Sequence, residues 1–150
     1  MTAAVFLDTN VLVYAYEVSD PPKQQRAMEV LEILALRGTG AISIQVAAEF
    51  LSTVTRKLAA PLTAEQAERE VTHHLRVWKV LDLTGLVVME AVRGVREHRR
   101  NYWDTQIWAV ARLNRVPVVL SEDFSDGAIL EGVRFVNPFR PSFRLADWTG

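Results

Sequence analysis

Short apolar runs alternate with stretches of helical periodicity along this chain, and that alternation restricts the fold more than any other feature. Val5–Leu7, Ala41–Ser43, Val80–Leu83, Val118–Leu120 and Val133–Val136 read as strands. Between them the spacing predicts helices. The first carries Val11 to Tyr16 and is capped by Thr9 or Asn10. Asp20-Pro21-Pro22 is predicted as a loop, because proline restricts its own φ and the residue before it. Lys23–Arg37 follows, with Ala27, Val30, Leu31 and Leu34 on one face, and Gly38 and Gly40 end it. Ser43 or Gln45 opens a helix running to about Leu58. Thr63 and Gln66 have the spacing of a capping box before the face of Ala67, Val71, Leu75 and Trp78. Thr84 caps Gly85–Arg100, and Trp103–Leu113 is the last helix. Strands alternating with helices predict an α/β/α sandwich around a central, mostly parallel sheet. Residues 1–150 read as one domain, with 137–150 an irregular tail containing Pro138 and Pro141.

Composition narrows the chemistry. At 49% hydrophobic and 23% charged, the 150 residues can build a core. There is no cysteine, which excludes disulfides, thiolate metal sites and a Cys nucleophile. No apolar run approaches the ~20 residues that span a bilayer, so no membrane association is expected. The N-terminus carries no basic leader, and a cytoplasmic location is the default expectation.

Four carboxylates stand out in otherwise apolar surroundings. Asp8 closes the run Ala3–Leu7, and Glu49 lies inside a periodic helix. Asp104 follows Trp103 at a helix start, and Asp123 follows the strand Val118–Leu120. In parallel α/β sheets ligands gather beyond the carboxyl ends of the strands. Asp8 and Asp123 sit at such ends, and Glu49 and Asp104 near helix starts that border the same crevice. Ionised carboxylates near a core are costly unless compensated, and no Lys or Arg lies within three residues of Asp8, Glu49 or Asp123. A divalent cation is the natural compensator, and oxygen-only ligation points to Mg²⁺ or Mn²⁺. The formal net charge is −1; setting the four acids aside leaves 14 acidic against 17 basic residues, which permits a phosphate-bearing substrate.

Each acid also has a plainer reading. Asp8 can be a helix cap, Glu49 a solvated helix residue, Asp104 a cap or a partner for Arg112, and Asp123 a turn residue. Asn10, Thr9, Ser121 and Asp126 form a second tier: Asn10 and Ser121 as groups that fix the acids' rotamers, Asp126 as an extra acid or a turn former. The run Arg93, Arg96, His98, Arg99, Arg100 reads either as a phosphate-contacting wall or as a solvated helix end favoured by the helix dipole. His73 and His74 are adjacent and point apart, as surface residues would. Trp103 and Trp108 offer surfaces on which bases stack, but aromatics beside a helical apolar face are more often core or dimer contacts, and both are assigned to packing. Gly94 inside a predicted helix has no explanation in the sequence.

The segments Leu7-Asp8-Thr9-Asn10-Val11-Leu12, Ala47-Ala48-Glu49-Phe50, Trp103-Asp104-Thr105-Gln106-Ile107 and Leu120-Ser121-Glu122-Asp123-Phe124 occur in this order. Together, from about Val5 to Val136, they resemble the PIN-domain nucleases, most closely the VapC toxins of VapBC toxin–antitoxin modules. The resemblance implies a PIN-like fold and an Mg²⁺- or Mn²⁺-dependent endoribonuclease acting on RNA. It also implies a homodimer neutralised by a VapB-type antitoxin whose C-terminal tail fills the active-site groove. By position it makes Asp8, Asp104 and Asp123 the principal metal ligands, with Glu49 binding metal or orienting water. Two other readings compete. A catalytically silent binding module of the same fold fits poorly, because all four acids are retained. An aspartate-based phosphatase wants a second Asp two residues after the nucleophile, where this chain has Asn10.

Overall fold

The computed structural model describes residues 3–148. The elements run β1 (Val5–Leu7), α1 (Thr9–Tyr14), α2 (Pro21–Arg37), β2 (Gly40–Ser43), α3 (Ile44–Arg56), α4 (Ala64–Val77), β3 (Lys79–Leu81), α5 (Gly85–His98), α6 (Tyr102–Leu113), β4 (Val118–Leu120), β5 (Ile129–Leu130) and β6 (Val133–Val136). A single 3₁₀ turn, Leu145–Asp147, follows in the C-terminal segment. The sheet order is β3-β2-β1-β4-β6-β5. Every pairing is parallel except the β5–β6 hairpin at one edge. The expected mostly parallel α/β architecture is therefore present.

The chain winds outward from β1 through β2 to β3, then returns across the sheet to place β4 on the other side of β1. The order reverses between β1 and β4, the kind of switch point beside whose carboxyl strand ends ligands bind in sheets of this class. β1, β2 and β4 are wholly buried, whereas β3 and β5, at the edges, are only partly covered. Phe6, Leu7, Leu12, Phe50, Trp108, Leu120 and Phe135 lie in the interior.

Several local expectations shift. Asp8 itself, not Thr9 or Asn10, caps α1, its side chain accepting from the Thr9 amide. Pro21 and Pro22 lie inside α2, not in a loop. They occupy its first two positions, where an amide would lack an intrahelical partner anyway, and Asp20 caps from outside. Gly38 ends α2 with φ 66°, whereas Gly40 belongs to β2. A Cβ at Gly40 would come within 2.6 Å of the Trp78 ring, so the strand needs glycine to let the indole lie on it. β3 covers Lys79–Leu81, and α5 stops at His98 with Arg99 in the left-handed region at φ 55°. The Thr63–Gln66 capping box forms in full. β5 escapes the sequence because two residues paired in a hairpin leave no periodicity to read.

Gly94 now has a reason. α5 lies so close to α6 that a Cβ there would sit 2.9 Å from the Trp108 ring and 3.0 Å from the Thr105 side chain, both fully buried. Gly94→Ala would gain up to ~1 kcal/mol of helix propensity elsewhere. Here the overlap reverses the sign. The variant is expected to lose about 1–3 kcal/mol in urea unfolding.

His74 is buried, not a surface residue. The Trp78 indole donates to its Nδ1 at 2.9 Å, so the ring proton sits on Nε2, 3.0 Å from the Tyr16 hydroxyl. Tyr16 in turn donates to Glu70 at 2.8 Å. Burial pushes the imidazole pKa from 6.5 down to about 4. Between those values the unfolded chain binds a proton the folded protein refuses. This contribution to stability is therefore lost as pH falls from 6.5 towards 4. Replacing His74 with Gln should flatten that part of the stability-versus-pH curve; an unchanged curve would show that His74 does not titrate on unfolding.

Candidate active site

The site is built on the two strand ends flanking the switch point. The Asp8 amide donates to Leu120 O and the Ser121 amide to Val136 O, so sheet bonding continues through the first residue after β1 and after β4. The two loops are thereby held in register, and their side chains meet. Asp8 is 7% exposed. One of its oxygens accepts from the Thr9 amide at 2.8 Å and the other from the Ser121 hydroxyl at 2.7 Å.

Ser121 and Asn10 hold the acids apart and aim them. The Ser121 hydroxyl donates to Asp8 while accepting from the Asp123 amide at 3.0 Å and from Asn10 Nδ2 at 3.1 Å. That uses its one proton and both lone pairs. Asn10 Nδ2 also reaches Asp123 Oδ2 at 3.1 Å, and its Oδ1 accepts the Glu122 amide at 3.3 Å. Glu122 is fixed by Lys23 at 2.9 Å and by the Tyr14 hydroxyl at 2.9 Å. The loop after β4 is therefore tied to α1 and α2.

Glu49 arrives from α3. Thr9 Oγ1 donates to one of its oxygens at 3.1 Å and Gln45 Nε2 to the other at 2.6 Å. Asp104 comes from the first turn of α6, where Asn101 caps the helix and also donates to the Asp104 carboxylate at 2.6 Å. Sequence reasoning gave no role at the site to Asn101 or Gln45. Their signals were the three-residue spacing of a cap and the i, i+4 spacing of a helix pair.

The electrostatics link the four acids. Burial pushes the Asp8 pKa from 3.8 up to about 6 against its hydrogen bonds from Ser121 and Thr9, with the charges of Asp123 and Glu49 adding to the rise. The Asp123 pKa is raised by burial, opposed by the Asn10 hydrogen bond and reinforced by Glu122 and Asp104. Among the described residues, none of the four forms an ion pair with Lys, Arg or His. Arg112, the alternative partner for Asp104, pairs with Glu90.

Asp126 does not join this group. Its carboxylate accepts the Asn137 amide at 2.8 Å and faces Arg140 at 3.4 Å, fastening the C-terminal segment. The basic run also divides. Arg93 is consumed by Glu90, Glu97 and Glu131 at 2.5, 2.7 and 3.0 Å. Among the described residues Arg99 and Arg100 make no ion pair.

The donor set fits a hard divalent cation: carboxylate oxygens from four elements, mutually repelling and held by neutral donors. Among the described residues, the one trio of acids and histidines whose ligand atoms all lie within 4.8 Å of one another is elsewhere, at Glu97, His98 and Glu131. That trio is an ion-pair network, since Glu131 already receives Arg93 and His98 at 3.0 and 2.6 Å. Among the described residues, no three of the four site acids meet that 4.8 Å limit with one ligand atom each.

Residues 5–125 match the PIN domain family. This chain is a PIN domain. No curated protein matches its sequence. Among solved structures, the PIN domain superposes on a toxin–antitoxin complex from Klebsiella pneumoniae with a TM-score of 0.66 at 21% identity, covering 89% of this chain and 97% of that one. VapC20 of Mycobacterium tuberculosis, described as a sarcin–ricin loop cleaving toxin, gives 0.63 at 19% identity, covering 87% and 98%. VapBC2 of Rickettsia felis, bound to a promoter DNA fragment, gives 0.61 at 19%, covering 90% and 97%. At these identities the likeness is one of fold.

Proposed function

We propose that this PIN domain is an Mg²⁺- or Mn²⁺-dependent endoribonuclease and the toxin of a toxin–antitoxin pair. The observation that carries the reading is the electrostatic coupling of Asp8, Glu49, Asp104 and Asp123 near the switch point, with no ion pair to a cationic side chain among the described residues. Family membership supports a nuclease, and the neighbours described as toxin–antitoxin assemblies and as an RNA-cleaving toxin support the finer assignment. An antitoxin and a second copy of the chain are the proposed partners. The described residues contain no helix long and apolar enough to cross a membrane.

Asp8, Asp104 and Asp123 would hold the cation, with Glu49 as a further ligand or as the group that orients the attacking water. When bound, such an ion lowers the pKa of water and neutralises charge on the phosphate. The chain's own groups do the rest. Asn10 and Ser121 fix the rotamers of Asp8 and Asp123. Gln45 and Thr9 aim the Glu49 carboxylate, which can accept the water's proton. Arg99 and Arg100, four to five residues before Asp104, would supply positive charge for substrate phosphates.

The test is cleavage of an end-labelled single-stranded RNA. Products are expected with Mg²⁺ or Mn²⁺ and none with EDTA, and Asp104→Asn should give none in either buffer. Cleavage that persists in EDTA, or full activity of Asp104→Asn, would refute the assignment.

A further inference from the structure

We propose that the cleft bounded by Ile44, Leu83 and Trp103, with Gln45 and Gln106 on its polar side, is a nucleobase subsite that seats one unstacked base of the substrate beside the acidic site. The inference rests on the RNA reading above and goes further by assigning residues to base contact.

The cleft has a volume of about 460 Å³, and Glu49, one of the four acids, is part of its lining. Its walls are apolar side chains left partly in water: Ile44 is 43% exposed, Leu83 49% and Trp103 64%. Trp103 contrasts with Trp108, one and a half turns along the same helix, which is fully buried. Within the chain, therefore, Trp108 packs in the core and Trp103 does not. Among the described residues Trp103 makes one ring contact, edge-to-face with Tyr102 at 5.2 Å, and is otherwise largely exposed one residue before Asp104. An exposed indole beside a phosphate-handling site is the surface on which single-stranded nucleic acids stack their bases.

The polar side argues for a base over a protein side chain. The Glu49 carboxylate can only accept, which fixes the Gln45 amide with its nitrogen towards Glu49 at 2.6 Å. Gln45 Oε1 then accepts Gln106 Nε2 at 2.6 Å, and Gln106 Oε1 accepts the Tyr102 hydroxyl at 2.6 Å. Both amide orientations are set by this chain of bonds. Each NH₂ uses one proton within it, leaving a second N–H, and each carbonyl keeps a lone pair. Gln106, only 3% exposed, orients Gln45, and the Gln45 amide beside the indole offers hydrogen bonds to a base edge while the ring supports its face. Because Gln45 also aims Glu49, a base bound there would bear on the carboxylate itself.

The test is binding of fluorescein-labelled 12-mers, followed by anisotropy in Ca²⁺ buffer with the probe's length checked on a gel. The probes are oligo(U), oligo(A) and an abasic ribose-phosphate chain. Wild type is expected to bind the base-bearing probes more tightly than the abasic one, and Trp103→Ala to lose that preference by about 5- to 150-fold. Trp103→Phe should retain most of it. Trp103 is exposed, so circular dichroism should show the variants folded as wild type. A Trp103→Ala protein that keeps the full preference would overturn the subsite while leaving the RNA reading intact, and would hand the cleft to a protein partner. A wild type that binds none of the probes would overturn the RNA reading and the subsite with it.

Discussion

Asp8→Asn is expected to abolish cleavage and, in metal-free buffer at pH 7, to stabilise the protein. The two effects share one cause. Asp8 is buried at the end of β1, and burial lifts its pKa from 3.8 to about 6 even though Ser121 and Thr9 both donate to it. Between those values the folded protein holds a proton that the unfolded chain has released. Stability therefore falls as pH rises through this window, and the loss is complete above about 6. A shift of this size corresponds to ~3 kcal/mol at most. The neutral amide avoids the charge penalty and can still accept from the Thr9 amide, while its NH₂ faces Ser121, whose lone pairs are already used, which offsets part of the gain. A rise in melting temperature of several degrees is expected at pH 7, at roughly 2–4 °C per kcal/mol. It should vanish near pH 4, where Asp8 is protonated in wild type too. Groups that merely orient metal ligands cost 10–100-fold when removed, so loss of a direct ligand should exceed ~100-fold in rate. A variant that is inactive but no more stable at pH 7 would mean that Asp8 is not strained in the free protein.

His74 and Asp8 titrate in opposition. One contributes stability that disappears as pH falls below 6.5, while the other relieves a penalty as pH falls below about 6. In wild type the two partly cancel. In Asp8→Asn only the His74 contribution remains, so the variant should be the more acid-sensitive of the two between pH 6 and 4.

Trp108→Ala should be the most damaging single truncation for the fold. The indole is fully buried, lies against Gly94 where α5 and α6 meet, and donates to Leu130 O at 3.1 Å. His98 packs against its ring at 5.5 Å and the Arg93 guanidinium lies over it at 5.4 Å. Truncating a buried aromatic costs about 3–5 kcal/mol, and the Leu130 carbonyl loses a donor besides. The expected fall in melting temperature is roughly 6–20 °C at 2–4 °C per kcal/mol. Because α6 also carries Asp104, activity should fall on heating in step with the fold. At low temperature it should survive, unlike in Asp8→Asn.

What could be read without coordinates was whatever depends on neighbours in sequence or on strand order. The Thr63–Gln66 cap is local, and Asp8 and Asp123 were placed by the rule that parallel sheets gather ligands at their carboxyl ends. Pro21 and Pro22 misled because proline breaks a helix interior yet suits its first turn; which applies depends on where the helix starts. Tertiary packing decided the rest. His73 and His74 share a local context, and only the approach of Tyr16 and Trp78 buries the second. Trp103 and Trp108 share one helix, and their different fates follow from α5 lying against one side of it. Asp126 has the composition of a ligand and is claimed by Asn137 and Arg140, which no spacing rule predicts.

The central claim is that acids from separate elements jointly bind one kind of cation. Its most direct test is titration of the protein with Mn²⁺ at pH 7.5, free ion being read by electron paramagnetic resonance. Wild type should bind Mn²⁺, Asp8→Asn and Asp123→Asn should each weaken binding at least ~10-fold, and Glu97→Gln, in the ion-pair network on α5, should bind as wild type. Equal affinity in wild type and both aspartate variants would contradict the account.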